Sequence, residues 1–143
     1  MIDDIKLDLA LYRLKKAKDL LSQGRLLHEN RNYDGSINRS YYAIFNAIRA
    51  LLALVELDSL KHSGVISFFD KYFVKTCFVD KEFSKIAHAA FDIRQENDYE
   101  DFYEPTEEES QTQLNDAEKF LREIEVKIHK MITNEIVIPQ ITK

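Results

Sequence analysis

Arg94-Gln95-Glu96-Asn97-Asp98-Tyr99 sets a cation, an amide, carboxylates and a phenol on the late turns of one helix. A guanidinium steadies negative charge on a phosphate, and carboxylates and phenols pass protons. Upstream, Phe83, Ile86, Ala87 and Ala90 recur at three- and four-residue spacing, so the helix begins as a core element and changes character at Arg94. Two readings of Arg94 stand side by side. It belongs to a functional cleft, or it is half of a buried ion pair with Asp98 at i,i+4. On another helix Arg39, Tyr42, Asn46 and Arg49 form a polar stripe interleaved with Ala43, Ala47, Ala50 and Ala53, where small side chains let a neighbouring backbone approach.

The elements that must position these residues are all helical. The chain has 143 residues, 45% apolar and 31% charged, with three glycines and two prolines. That balance fits one all-α domain with a real core and excludes both a disordered chain and a turn-rich sheet protein. The spacing predicts a first helix from about residue 3 to 28, with Leu7, Ala10, Leu14, Ala17 and Leu21 on its packing stripe. Glu29-Asn30-Arg31-Asn32 is a polar link, and Asn32 or Asp34 caps a central helix from about 34 to 55. A third helix is expected over 63 to 74, and a fourth runs to about Phe102 before Pro105 stops it. Thr106 with Glu109 has the spacing of a capping box that opens a fifth helix, whose Leu114, Ala117, Leu121, Ile124, Ile128 and Met131 form a narrow seam. The expected architecture is an up-and-down bundle of four to five helices over residues 1–132, followed by an extended tail over 133–143.

Several function classes fall away on composition. No pair of histidines or cysteines stands at zinc-ligand spacing, and the glycines are isolated, so neither a metal nor a cofactor is expected. The net charge of -5 argues against a generic coat for nucleic acid, although Arg39, Arg49 and Arg94 can still converge locally. No apolar run reaches the roughly 18 residues of a membrane span, Cys77 stands alone, and no secretory signal precedes the first helix. The expected compartment is the cytoplasm, without a membrane partner.

Three segments together resemble the HEPN superfamily, in particular its small prokaryotic single-domain members. They are Arg39-Ser40-Tyr41-Tyr42-Ala43-Ile44-Phe45, then Lys61-His62-Ser63-Gly64-Val65-Ile66 with Phe73-Val74-Lys75-Thr76, and finally Arg94 to Tyr99. The resemblance implies a helical bundle, commonly a homodimer that pairs its clefts across the two-fold axis, and often a partner nucleotidyltransferase acting as antitoxin. Many relatives of this kind are toxin-like ribonucleases. They use an arginine and, four to six residues on, a histidine that manages the proton of the ribose 2′-hydroxyl or of the leaving oxygen.

Arg94 matches that arginine, but Tyr99, Glu100 and Asp101 stand where the histidine would be. A free phenol titrates near 10 and is a poor base at neutral pH. The catalytic candidates carried by the resemblance are therefore Arg94, Asp98 and Tyr99. His62 can reach the cleft from another element to replace the absent histidine. Arg39, Asn46 and Arg49 are candidate binding residues for RNA or a nucleotide. The alternative is a bundle without catalysis that binds a nucleotide or a protein partner.

Overall fold

The computed structural model describes residues 2–141; Met1, Thr142 and Lys143, the last two from the expected tail, lie outside the described residues. Among the described residues there are five α-helices and no strand: α1 (Asp4–Glu29), α2 (Tyr33–Ala53), α3 (His62–Phe69), α4 (Lys81–Tyr99) and α5 (Glu107–Ile132). The all-α bundle read from the sequence is the observed fold.

α2 is the central element. Its apolar face carries Ile37, Tyr41, Ile44, Ile48, Leu51 and Leu52, and its opposite side carries Ala43, Ala47, Ala50 and Ala53, all buried. Small residues on one side and large ones on the other let neighbours close on it from several directions. α1 forms the most extensive pair with it, α5 packs on both, and α3 and α4 cover the remaining side. The caps follow from residue type. Asp3 accepts the Lys6 N–H at the start of α1, Asn32 accepts that of Gly35 at the start of α2, and Thr106 and Glu109 close a reciprocal capping box at α5.

Three boundaries differ from the sequence expectation, each for a physical reason. The expected helix over 63–74 is α3 followed by a π-helical turn, Asp70–Val74, in which Lys75 N–H reaches the Asp70 carbonyl. The extra residue in that turn fits Tyr72 and Phe73 into the core, and Ser84 and His88 of α4 hold the Asp70 carboxylate at 2.6 Å each. α2 ends at Ala53 rather than Val55. Glu56 turns left-handed (φ 57°), and Glu56 and Leu57 return their N–H groups to the Ala53 and Leu52 carbonyls. α4 ends at Tyr99 rather than Phe102, because Pro105 is buried and the Tyr103 hydroxyl donates to Glu109 at 2.6 Å, which draws the link away from the helix axis. After α5, Ile136, Ile138 and Ile141 pack against the core while Val137 stays exposed, so this segment lies on the bundle.

An aromatic contact in the core joins α5 to the elements opposite, where the fully buried Phe120 meets Phe69 and Phe83. Phe120→Ala is expected to cost about 3–5 kcal/mol in urea unfolding. The same truncation at the exposed Phe102 is expected to change stability by less than about 0.5 kcal/mol.

Candidate functional site

The site begins with a buried hydroxyl. Tyr41 is 1% exposed, and burial pushes its phenol well above its ordinary pKa, so the group stays protonated and must find a hydrogen-bond partner inside the protein. That partner is His62: Tyr41 Oη and His62 Nδ1 are 2.7 Å apart. The imidazole also stacks on Phe45, one turn further along α2, with ring centroids 4.2 Å apart, and meets Tyr42 edge-on. His62 is thereby set by three α2 residues although it belongs to α3.

The link from α2 makes this reach possible. Ser59 folds back so that its Oγ accepts the Lys61 N–H, and a Cβ at Gly64 would overlap that hydroxyl. A glycine at 64 is required by the close approach of this link to the first turn of α3.

α4 supplies the cation. Phe91 packs near the Tyr41 ring, and one turn later the Arg94 guanidinium lies over Tyr41, Tyr42 and Tyr99 at 5.4, 5.6 and 5.9 Å. Aromatic faces are electronegative, so three of them hold a cation where water is scarce. Arg94 Nη2 donates to Tyr42 Oη at 3.1 Å. Its Nε is 2.9 Å from Asp98 Oδ2, yet that N–H makes no aligned hydrogen bond, so the two form an ion pair set by charge alone. The Arg94 side chain is 15% exposed and that of Asp98 29%, so the pair is accessible from one side.

Electrostatics follow from this packing. Burial first, then the charges of Arg94 and Arg49, hold the His62 pKa below its ordinary value. His62 is a neutral imidazole at pH 7, with Nδ1 committed to Tyr41 and Nε2 left for other chemistry.

The residues singled out in the sequence divide into three groups. Arg94, Asp98, Tyr99 and His62 converge on Tyr41 and Tyr42. Asn46 and Arg49 share the α2 face of Tyr42 and Phe45; Asn46 is buried and donates to the Tyr42 carbonyl, while Arg49 pairs with Asp58 at 3.1 Å. Arg39 is turned elsewhere. Its guanidinium donates to Gln23 of α1 and to Asn38, so the regular stripe read from the sequence splits at its first member. Two further contributors are not among the site residues read from the sequence: Tyr41, which has the spacing of a core residue although it stands in one of the segments that carry the resemblance, and Arg13, which stands among the α1 lysines. Arg13 donates to the Arg49 carbonyl and meets Asp58 at 3.7 Å.

The other histidines stand apart. His28 bonds Ser110, His88 bonds Asp70, and His129 is exposed. Among the described residues no three His, Cys, Asp or Glu side chains are grouped to hold a metal ion, and no helix is long and apolar enough to cross a membrane.

An NMR titration of the imidazoles is expected to place the His62 midpoint below about 6.5, the free value. Arg94→Ala is expected to move it part of the way back up. The sign for stability is the same: a depressed histidine favours the fold above the free value, and this contribution is lost as pH falls from about 6.5 through the depressed midpoint. Thermal unfolding of the wild type between pH 7 and pH 5 should therefore fall more steeply than that of His62→Phe.

Comparison with known proteins agrees with this architecture. Residues 10–127 match the model of the HEPN domain. A UPF0332 protein of Thermotoga maritima is 38% identical over 114 residues, 80% of this chain and 86% of that protein. A protein of Methanocaldococcus jannaschii named "Putative toxin MJ0605" is 34% identical over 116 residues, 81% of this chain and 86% of that protein. A second from the same organism, "Putative toxin MJ0142", is 34% identical over 108 residues, 76% and 74% of the two chains. With a bundle of this kind, and a family match across most of its length, the chain belongs to the HEPN domain family.

Proposed function

We propose that this protein is the toxin-like member of a prokaryotic pair, with a nucleotidyltransferase as antitoxin, and that it cleaves RNA with side chains alone. The observation that carries the reading is the juxtaposition of a ring-bound guanidinium, Arg94, with a neutral imidazole, His62, through their common neighbours Tyr41 and Tyr42. The relatives named as toxins support the biological setting.

In this reading Arg94 holds the scissile phosphate. His62 Nε2 takes the proton of the ribose 2′-hydroxyl, O2′ bonds to phosphorus, and the P–O5′ bond breaks to leave a 2′,3′-cyclic phosphate and a 5′-hydroxyl. For Nε2 to act as the base, Nδ1 must carry the proton and donate to Tyr41 Oη. Tyr99, 74% exposed beside Arg94, supplies the proton that the departing O5′ needs. Asp98 keeps the guanidinium in place, and charge building on the phosphate is met by Arg94 in a partly dry setting. Asn46 and Arg49 belong to the binding wall. The working unit is a homodimer that pairs two such clefts, and the compartment is the cytoplasm.

A second reading draws on the Arg94–Asp98 pair itself: the arginine serves folding, and the bundle binds a nucleotide or a protein partner without catalysis. Cleavage of a labelled single-stranded RNA separates the two. At equal folded content, Arg94→Ala and His62→Ala are each expected to lower kcat/KM by about a hundredfold or more. Cleavage equal in wild type and both variants would mark a contaminating nuclease and remove the enzymatic reading. The wild type is also expected to lose cleavage below the depressed His62 midpoint, because protonated His62 is no longer a base.

A further inference from the structure

On the α2 face that carries Tyr42 and Phe45, the next turn brings Arg49, roughly 10 Å along the axis from Tyr42 at about 1.5 Å per residue. Arg49 is one of two guanidinium groups gathered at a single carboxylate. Asp58 Oδ2 is 3.1 Å from Arg49 Nη2 and 3.7 Å from Arg13 Nη2, and Arg13 Nη1 donates to the Arg49 carbonyl. Two cations against one anion leave a surplus positive charge.

The arrangement is held with little slack. The Arg13 side chain is 12% exposed and that of Arg49 30%, and Arg49 Nε is buried without a hydrogen-bond partner. Burial, and then the charge of Arg49, lower the pKa of Arg13. The Asp58 carboxylate feels the opposite balance: burial pushes it up, but the Ser59 N–H, Arg49 and Arg13 outweigh that and hold it low. Arg49 is reachable through its own exposed part, while Arg13 and Asp58, with the Lys6–Glu56 ion pair beside them, border an open hollow of about 250 Å³ between α1 and the end of α2 that Arg49 does not line.

We infer that Arg49 and Arg13 form a second anion seat, which takes a flanking phosphate of a single-stranded RNA whose scissile phosphate lies at Arg94. His62 is stacked on Phe45, which lies between Tyr42 and Arg49 on the same face of α2. The inference rests on the RNA reading above and adds to it a direction: the strand runs along α2 from Tyr42 toward the α2–α3 link. Asp58 keeps the two guanidinium groups from repelling each other when the strand is absent and leaves donors on both for phosphate oxygens.

The test is the salt dependence of binding to an uncleavable 2′-O-methyl octanucleotide, followed by fluorescence anisotropy. Arg49→Gln and Arg13→Gln are each expected to weaken binding roughly tenfold. Each should also make the slope of log affinity against log salt shallower by about 0.7 for each phosphate that is no longer neutralised. Lys15→Gln removes one positive charge from an exposed pair with Asp19 and is expected to leave the slope as in wild type. Arg49→Lys keeps the charge and a partner for Asp58, and it should retain the slope. If Arg49→Gln and Arg13→Gln behave like Lys15→Gln while Arg94→Gln still weakens binding, the second seat is overturned and the RNA reading stands. If Arg49→Lys flattens the slope as much as Arg49→Gln does, the arginine acts by holding the fold, and the seat is overturned again. If the wild type fails to bind, or Arg94→Gln binds as the wild type does, the RNA reading fails and takes the inference with it.

Discussion

The hydrogen bond between Tyr41 and His62 is the interaction from which the rest of the site is built. A phenol on the most buried helix of the bundle needs a partner for its hydroxyl, and at that depth water does not provide one. The partner comes from the first residue of α3, so satisfying one buried polar atom also fixes where α3 begins and how the α2–α3 link must fold. Gly64 and Ser59 follow from that link, and so does the stacking of the imidazole on Phe45. A group that could have been a surface turn residue is thereby held against a wall of rings.

Once that wall exists, it determines what α4 can place opposite. A guanidinium is more weakly hydrated than an ammonium and is planar, so it can lie over aromatic faces where a lysine would lose most of its hydration. Arg94 uses this tolerance. Its charge then acts on His62 in the same direction as burial does, and the imidazole is kept neutral by its cationic neighbour. The chain as a whole carries a net charge of -5. Acidic residues are concentrated around the end of α4, where Asp92, Glu96 and Glu100 are exposed beside Tyr99.

How much of this is legible in the sequence depends on how local the cause is. α1, the face of α2 and the seam of α5 are set by apolar spacing, and the Thr106 capping box is set by two residues three apart; these appear in the structure as read. Helix ends are less legible. Arg31, Glu56 and Asn134 follow α1, α2 and α5 in the left-handed conformation, where glycine is the usual signal and none is present. The π-helical turn after α3 is hidden for a similar reason: it answers to the fit of Tyr72 and Phe73 and to the two α4 side chains on Asp70. Arg94 with Asp98 is readable because both lie on one helix. Arg13 with Arg49 is not, because the bond that joins them crosses from α1 to the carbonyl of a residue on α2, and periodicity carries no trace of it.

Arg39 and Arg94 show why residue type alone does not define a site. Both are arginines on helices that pack together, and both make hydrogen bonds to neighbours. Arg39 gives its Nε to Gln23 and its Nη1 to Asn38, near the surface and within reach of water, where such bonds contribute little. Arg94 is confined by three rings and a carboxylate, and among the described residues its one aligned hydrogen bond is to Tyr42. A guanidinium has five N–H donors, and a pair that existed only to neutralise Asp98 would align at least one of them with the carboxylate. The Nε–H of Arg94 lies close to Asp98 without that alignment. Charge is matched while that buried Nε–H stays without a directional partner, and the rings as much as the carboxylate set where the guanidinium lies.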